Sequence, residues 1–412
     1  MQAVNPIHAV QRYIARVPGI GLTQVLPNTA NYMVRSWLRS RQVPMFPDMP
    51  AARLSVGLAA KVALDEIVLG IMRSPRSHPH RADYTRVGTE LHEALGMYEA
   101  KGWIADPASY HGFPPTLHPI ERRGGSSRGV DYEHLSWESA YRPHPGEPGG
   151  ERWHGHQANR TAHAYLVRSA TPTDTWLVCV HGFGMGTPLT GFHAFRARKL
   201  AAEMHANLAL PVLPMHGPRT ESRLSGAEFM SFDMMHPVFG LSQATWDIRS
   251  LASWLKATEG ATHLGLYGIS LGAYTSGLVA GVDDRFDLVI AGIPASDLPQ
   301  LYQHHSPTPL RRRALEYGML GEVPAKIHRV VSPLAFEPQV VPERRFIYAA
   351  LGDRMAPPAQ AQQLWNHWGR PRIAWLDGAH VTSVMSSSVD AFVSEALVGS
   401  GFLATRARLE AV

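Results

Sequence analysis

Short apolar runs alternate with amphipathic segments through the second half of the chain. The runs have the length and composition of strands buried on both faces, and the segments between them have helical spacing. The predicted strands span 162–167, 176–180, 208–213, 263–269, 288–293, 346–351 and 373–376. The predicted helices span 194–205, 243–258, 273–282, 360–368 and 388–397. This alternation predicts an α/β fold, with a largely parallel sheet and helices on both faces.

The first 105 residues have a different pattern, which predicts a helical extension. Their apolar positions recur at helical spacing and show no strand-like alternation. The first predicted helix is capped at Asn28 and runs through 32–41, and the other two span 54–72 and 89–101. Three roles are open for this extension: it can cover a pocket, pair subunits, or contact a membrane surface.

A connecting region, residues 106–160, separates the extension from the regular α/β pattern of residues 161–405. It is rich in Pro, Gly, His and Arg, which predicts loops and one strand over 132–138. Within the α/β pattern, residues 295–343 are too many for a plain crossover between strands. Insertions of this size commonly form lids or binding loops. We therefore predict a lid-like insertion there.

The composition is that of an ordinary globular protein, with 45% hydrophobic and 18% charged residues among 412. The net charge of +5 is mildly basic, but no long cationic tract with interleaved aromatics points to a nucleic-acid partner. The single cysteine, Cys179, lies in an apolar run and is expected to be a buried strand residue. The N-terminus lacks the apolar core of a signal peptide, and charges interrupt the apolar stretch 54–72. A cytoplasmic location is expected.

The candidate nucleophile is Ser270, which lies between a predicted strand and a predicted helix. It is framed by Gly268 and Gly272, and this G-x-S-x-G pattern matches the nucleophile elbow. The abrupt turn strains the serine backbone, and the two glycines leave space where side chains would collide. A second match surrounds Ser127, but no predicted strand precedes it. We interpret that second site as a polar loop.

A serine hydroxyl needs a base to remove its proton, and the base needs an acid to orient it. Asp353 follows a later predicted strand, and His380 follows the last one. Both therefore lie at the sheet edge where Ser270 is expected, in the chain order Ser, Asp, His. Asp377 and Asp297 remain alternatives for the acid.

The third requirement is an oxyanion hole, formed by two backbone N–H groups. One is expected from Leu271, directly after the nucleophile. The other is expected from the glycine-rich loop that begins at His181, with Phe183 as the first choice and Gly184 as the second. His181 and His216, which each precede a glycine after a predicted strand, are candidates for lining the substrate pocket. For His216, a structural turn is an equal alternative.

No cofactor or metal ion is predicted. A nucleotide-binding loop is disfavoured because Thr187 stands where the last glycine of G-x-G-x-x-G belongs and no Gly-Lys-Ser/Thr follows. Two histidine pairs, at 78 and 80 and at 154 and 156, lie in predicted loops without an organised carboxylate or thiolate set.

Residues from about 130 to 405 resemble an α/β-hydrolase. The resemblance rests on the elbow at Ser270, the His181-Gly182 loop, Asp353 and His380. It implies an eight-stranded, mostly parallel sheet, a serine nucleophile, no cofactor, and an acyl-enzyme intermediate cleaved by water. The expected substrate is a small-molecule carboxylic ester. Action on a peptide, thioester or carbon–carbon bond, acyl transfer, and a non-catalytic interaction or membrane-peripheral module are the alternatives.

Overall fold

A single sheet organises the computed structural model, which describes residues 22–41, 48–73, 79–114 and 120–403. Nine strands of these residues form it, in the order β1-β2-β3-β5-β4-β6-β7-β8-β9. The strands are β1 Glu121–Ser127, β2 Val130–Glu138, β3 Thr161–Val167, β4 Thr175–Val180, β5 Asn207–Pro211, β6 His263–Ile269, β7 Leu288–Gly292, β8 Arg345–Ala350 and β9 Arg372–Leu376. Strands β4 to β9 are parallel, and β1, β2 and β3 pair antiparallel at one edge.

The prediction of eight strands was wrong by one, because the connecting region holds two strands where one was expected. Strand β1 has arginines, glycines and serines in place of apolar residues, so it lacks the alternation that marks a half-buried strand. A tight hairpin holds it to β2, with Arg128 and Gly129 at φ values of 51° and 78°, as a two-residue turn requires. Ser127 therefore ends an edge strand, and its interpretation as a loop residue was wrong.

Helices cover both faces of the sheet. The α-helices are α1 Val25–Ser40, α2 Val56–Arg73, α3 Arg81–Ala100, α4 Gly150–His154, α5 Pro188–Ala194, α6 His236–Thr258, α7 Leu271–Val282, α8 Leu298–His305, α9 Thr308–Glu316, α10 Glu322–Ile327, α11 Pro358–His367, α12 His380–Ser383 and α13 Ser387–Gly399. Short 3₁₀ turns span Leu22–Gln24, Pro107–Tyr110, Ala158–Arg160, Gly217–Arg219, His328–Val331 and Pro342–Arg344. None of the helices in the described ranges has the length and apolar character to cross a membrane.

Each face of the sheet has its own hydrophobic core. Successive side chains of β4 point to opposite faces, so Val178 joins the core that holds α3, α6 and α7, and Cys179 joins the core that holds α5 and α13. All six residues of β4 are buried, as a central strand of a parallel sheet requires. The prediction that Cys179 is a buried strand residue is confirmed.

The helices predicted over 194–205, 243–258 and 89–101 differ most from those in the structure. The helix predicted over 194–205 is instead α5 followed by a π-helical turn, Lys199–Glu203, because the chain bends at Arg196 with φ 49°. Helix α6 begins seven residues earlier than predicted, with a proline at its first turn. Helix α3 begins at Arg81, where the Asp83 carboxylate accepts the backbone N–H of His80 at 2.7 Å.

The first two helices, α1 and α2, pack beside the loop that follows β8. Tyr32 of α1 donates its hydroxyl to the carbonyl oxygen of Leu351 at 2.9 Å. Leu58 and Val62 of α2 pack against Tyr32 in a small third core. Helix α2 also lies against Gly352, where a Cβ would come within 2.7 Å of Leu58 Cδ1. The extension thus contacts the carboxyl edge of the sheet.

Candidate active site

Ser270 lies at a sharp turn between β6 and α7. Its backbone has φ 58° and ψ −116°, a conformation that residues with a side chain rarely adopt. The Ser270 N–H donates to the carbonyl oxygen of Gly292 at 2.8 Å, so the hydrogen bonding between β6 and β7 continues up to the serine. Helix α7 begins at the next residue, Leu271. This geometry holds the Ser270 side chain out from the carboxyl edge of the sheet.

The two glycines around Ser270 are required by the close approach of the backbone. A Cβ at Gly268 would lie 2.1 Å from the carbonyl oxygen of Gly272. A Cβ at Gly272 would lie 1.9 Å from the carbonyl oxygen of Val180 and 2.6 Å from that of His181. Because these neighbours are backbone atoms, they cannot rotate away as the end of a flexible side chain would.

The structure brings Ser270, Asp353 and His380 together. His380 Nε2 lies 2.9 Å from Ser270 Oγ, and His380 Nδ1 lies 2.6 Å from Asp353 Oδ2. An ionised carboxylate can only accept hydrogen bonds, so Nδ1 is the donor to Asp353 and Nε2 is free to accept the serine proton. The three side chains are thus connected in the order that activates a serine nucleophile.

The carboxylate of Asp353 is buried and well satisfied. Its Oδ1 accepts the backbone N–H groups of Met355 at 2.8 Å and Ala356 at 2.7 Å, which leaves Oδ2 for His380. Burial alone would lower the pKa of His380, but the Asp353 carboxylate stabilises the imidazolium and raises that pKa above its ordinary value of 6.5. The histidine is therefore a stronger base than its burial would suggest.

The two alternative acids and the second serine lie elsewhere. The Asp377 carboxylate is half-exposed and accepts the backbone N–H of Arg53 at 3.3 Å. Asp297 caps α8, where its Oδ1 accepts the N–H of Gln300 at 2.9 Å. Ser127 ends the edge strand β1, at the far end of the sheet order from β8 and β9.

The glycine-rich loop after β4 lies against the nucleophile. A Cβ at Gly182 would come within 3.4 Å of the Ser270 Cβ, so this loop passes directly beside the serine. Phe183 and Gly184 follow in the loop, with Gly184 at φ 78°. Leu271 is the first residue of α7, where backbone N–H groups have no intrahelical partner. These three positions remain our predictions for the oxyanion hole.

His181, which begins this loop, and His216 are both buried. Leu213 donates its N–H to His181 Nε2 at 3.0 Å, so Nδ1 carries the proton and donates to the carbonyl oxygen of Gly182 at 2.8 Å. Burial lowers the pKa of His181 to about 4, so this ring is neutral and ties the loop after β4 to the end of β5. His216 packs at 5.2 Å from His181, between ring centroids, and burial lowers its pKa to about 3. Their assignment to the substrate pocket stays a prediction.

Sequence reasoning missed one buried carboxylate beside the three residues, Asp65 of α2. It accepts the backbone N–H groups of Arg354 at 3.0 Å, His380 at 2.8 Å and Val381 at 3.0 Å. These donors lie on two segments, the loop after β8 that carries Asp353 and the first turn of α12 after β9, which begins at His380. The available signal was the pair of acidic residues at positions 65 and 66, which interrupts the most apolar stretch of the chain.

No metal centre is evident in the part of the chain that the structure describes, where no three His, Cys, Asp or Glu side chains are grouped to hold an ion. Of the two histidine pairs singled out above, the residue at position 78 lies outside the described residues. In the other pair, the His156 Nδ1 contacts the Glu221 carboxylate at 3.0 Å.

The chain is similar to two proteins of Mycobacterium tuberculosis. They are the uncharacterized proteins MT2702, from strain CDC 1551 / Oshkosh, and Rv2627c, from strain ATCC 25618 / H37Rv. Each is 37% identical over 378 residues, which cover 91% of this chain and 90% of the relative. No family model matches the chain.

Among solved structures, the chain is similar to acetyl xylan esterase 1 from Thermoanaerobacterium sp. JW/SL YS485. The TM-score is 0.50 and the sequence identity 13%, over 72% of this chain and 92% of that one. At this identity the likeness concerns the fold alone. The fold is that of an α/β-hydrolase, as the sequence resemblance implied.

Proposed function

The chain belongs to the same family as the two M. tuberculosis proteins, and we propose that it is a serine hydrolase that cleaves carboxylic esters. One observation carries this proposal: Ser270 Oγ, His380 and Asp353 are linked by hydrogen bonds of 2.9 and 2.6 Å at a strained turn. A merely structural serine has no need of such a turn, whose backbone strain must be offset elsewhere in the fold. An α/β-hydrolase fold is consistent with the proposal but does not by itself define the reaction.

In the first step, Ser270 Oγ attacks the carbonyl carbon of the ester while its proton moves to His380 Nε2. Asp353 holds the His380 ring and stabilises the imidazolium that forms. The carbon–oxygen bond to the alcohol then breaks, and the leaving oxygen takes the proton from Nε2. The product of this step is an acyl group bound to Ser270.

Negative charge develops on the carbonyl oxygen during this attack. The N–H of Leu271 and that of Phe183 or Gly184 are suited to donate hydrogen bonds to this oxygen, because both segments border Ser270. In the second step, His380 removes a proton from water, which attacks the acyl carbon and releases the acid. Ser270 then regains its proton, so no other reagent is consumed.

The substrate class is a small-molecule ester. The same three residues can act on a peptide or thioester, and an alcohol in place of water would give acyl transfer. Since these reactions share the acyl-enzyme, they share the dependence on Ser270, and a panel of acyl donors separates them by their relative rates.

Turnover of an aryl acetate by the purified full-length chain tests this proposal. Ser270→Ala removes the attacking oxygen, and we expect the loss of at least about 10³-fold in kcat with unchanged folding. Ser127→Ala is the matched control, because it removes the serine of the second G-x-S-x-G pattern from the edge strand. Full activity in Ser270→Ala would reject the assignment of the nucleophile.

A further inference from the structure

Asp65 connects the N-terminal extension to both loops that carry the acid and the base. Its carboxylate is completely buried, and it reaches across from α2 to the backbone of the loops after β8 and β9. We propose that Asp65 is a positioning residue, which fixes Asp353 and His380 relative to each other for the reaction at Ser270. This inference rests on the proposed function and assigns part of the active site to the N-terminal extension.

The hydrogen bonds explain why a carboxylate is needed at position 65. Asp65 Oδ2 accepts the N–H groups of Arg354 and His380, and Oδ1 accepts that of Val381. All three groups are donors, so only a side chain with two acceptor oxygens satisfies them. An amide would place an NH₂ group against at least one N–H, donor against donor. One rigid group thus determines the distance between two loops that follow different strands.

The charges around Asp65 also act on the base. Burial and the nearby Asp353 carboxylate together raise the pKa of Asp65 to about 6, against the opposing effect of His380 and the backbone N–H groups. Arg354 lies on the loop that carries Asp353, and its guanidinium pairs with the Glu66 carboxylate at 2.8 Å. One turn earlier on the same face of α2, Lys61 Nζ donates to the carbonyl oxygen of Asp377 at 3.1 Å. The ionised Asp65 carboxylate contributes to the raised pKa of His380, after Asp353.

Glu66 provides a matched control on the same helix. It is nearly as buried as Asp65 and accepts Arg354 Nε and Asn28 Nδ2, both at 2.8 Å. It thus links α2 to the loop after β8 through the Arg354 side chain, and among the described residues its hydrogen bonds go to Arg354 and Asn28, not to the segment that carries His380. A substitution that loosens α2 in general would lower the activity at either position, 65 or 66. A loss of positioning is expected only when Asp65 is replaced.

The test compares Asp65→Asn with Glu66→Gln in the full chain. We expect Asp65→Asn to lower kcat for an aryl acetate by about 100-fold, the effect of a misplacement of about 1 Å, with KM within about threefold. Glu66→Gln should keep kcat within about threefold of the wild type. NMR titration of the His380 ring supplies a readout without substrate, and Asp65→Asn should lower the pKa of His380 where Glu66→Gln does not.

These readouts separate the two proposals. A wild type without Ser270-dependent turnover would reject the proposed hydrolase, while the shift of the His380 pKa would still support the role of Asp65. Equal kcat values and equal His380 pKa values in the two variants would overturn that role. Should Asp65→Asn not fold, Asp65→Glu replaces it, since it keeps the charge but displaces the carboxylate by one methylene. The positioning role then requires a larger kcat loss in Asp65→Glu than in Glu66→Gln.

A second, independent observation concerns the outward face of α1. Its inward face is buried against α2, but five apolar residues lie within an arc of about 120° on the exposed side of the helix. They are Leu26, Ala30, Val34, Trp37 and Leu38. Apart from Ala30, each of these side chains is between 46% and 78% exposed. Arg35 and Arg39 lie on the remaining arc, and the Arg41 guanidinium lies over the Trp37 ring at 4.0 Å.

The net positive charge of the protein comes from the N-terminal part of its sequence. Residues 1–47 contain five arginines and no aspartate or glutamate, whereas the whole chain has a net charge of +5. The rest of the chain therefore has equal numbers of acidic and basic residues. An exposed apolar arc with tryptophan and leucine, flanked by arginines, is typical of helices that lie in the interface of a bilayer. We propose that this face of α1 binds an anionic lipid surface.

Vesicle flotation tests this proposal with the full-length chain. We expect binding to vesicles of equal phosphatidylcholine and phosphatidylglycerol, weaker binding at 0.5 M salt, and little binding to phosphatidylcholine alone. The double variant Trp37→Ser/Leu38→Ser and the double variant Arg35→Gln/Arg39→Gln should each reduce binding at least about tenfold. Val341→Ser is the control, because Val341 is a comparably exposed apolar side chain far along the chain.

Three results would overturn the assignment to lipid. They are absence of binding to the anionic vesicles, unchanged binding in both double variants, and a wild-type dimer that Trp37→Ser/Leu38→Ser converts to monomer. The last of these would assign the face to a second copy of the chain.

Discussion

Gly272 lies so close to the carbonyl oxygen of Val180 that a Cβ on it would be 1.9 Å from that oxygen. This contact is the place where the first turn of α7 crosses the end of β4. It places the turn that presents Ser270 directly against the end of β4, which is paired with β6 up to Val180 and Gly268. The second glycine of the motif is thus a packing requirement.

Gly272→Ala should destabilise the protein by about 3 kcal/mol or more, because a backbone clash in a buried site cannot be relieved by rotation of a side chain. Urea unfolding measures this change. Gly96→Ala is the control: Gly96 is an exposed glycine within α3, with no atom within 4 Å of the added Cβ. That variant should be stabilised by about 0.5–1 kcal/mol. Equal stability of Gly272→Ala and the wild type would contradict the geometry of the elbow.

Asp353→Asn should lower kcat by about 10³- to 10⁴-fold, because an amide no longer holds the His380 tautomer that accepts the serine proton. Asp377→Asn is the matched control, since it removes a carboxylate three residues before His380 that is half-exposed. We expect it to retain activity within about threefold. Steady-state kinetics with an aryl acetate measures both. A larger loss in Asp377→Asn than in Asp353→Asn would reassign the acid.

The activity should fall on the acid side of neutrality. Burial opposes the positive charge on His380, but Asp353 outweighs it and raises the pKa of His380 above 6.5. His380 must be neutral to accept a proton, so kcat/KM falls as the pH drops through that raised value. In Asp353→Asn the midpoint should move to lower pH. A wild-type midpoint below 6.5, or the same midpoint in both proteins, would contradict this account of the base.

The sequence was sufficient to predict the strands that precede Ser270, Asp353 and His380. Each follows an apolar run that ends at the same edge of a parallel sheet, so chain order alone predicts their meeting. The glycines around Ser270 add a steric requirement that is visible in the sequence. These features are local, and local patterns are read directly from the amino-acid order.

Strand β1 and Asp65 could not be predicted in this way. Strand β1 has no apolar alternation, and its partner β2 supplies the hydrogen bonds that hold it. Asp65 accepts a hydrogen bond from the backbone N–H of His380, which lies more than 300 residues later in the chain. The acidic pair on α2 therefore predicted only an interrupted apolar helix, because its partners are backbone N–H groups, which every residue except proline has and no motif records.

The central claim is that Ser270 is the nucleophile, and covalent labelling tests it most directly. The purified chain is treated with an active-site fluorophosphonate, digested and mapped by mass spectrometry, with Ser270→Ala and Ser127→Ala treated in parallel. We predict one adduct on Ser270 in the wild type and in Ser127→Ala, none in Ser270→Ala, and loss of aryl acetate turnover in proportion to labelling. Turnover that persists in a wild-type protein without an adduct on Ser270 would contradict the account.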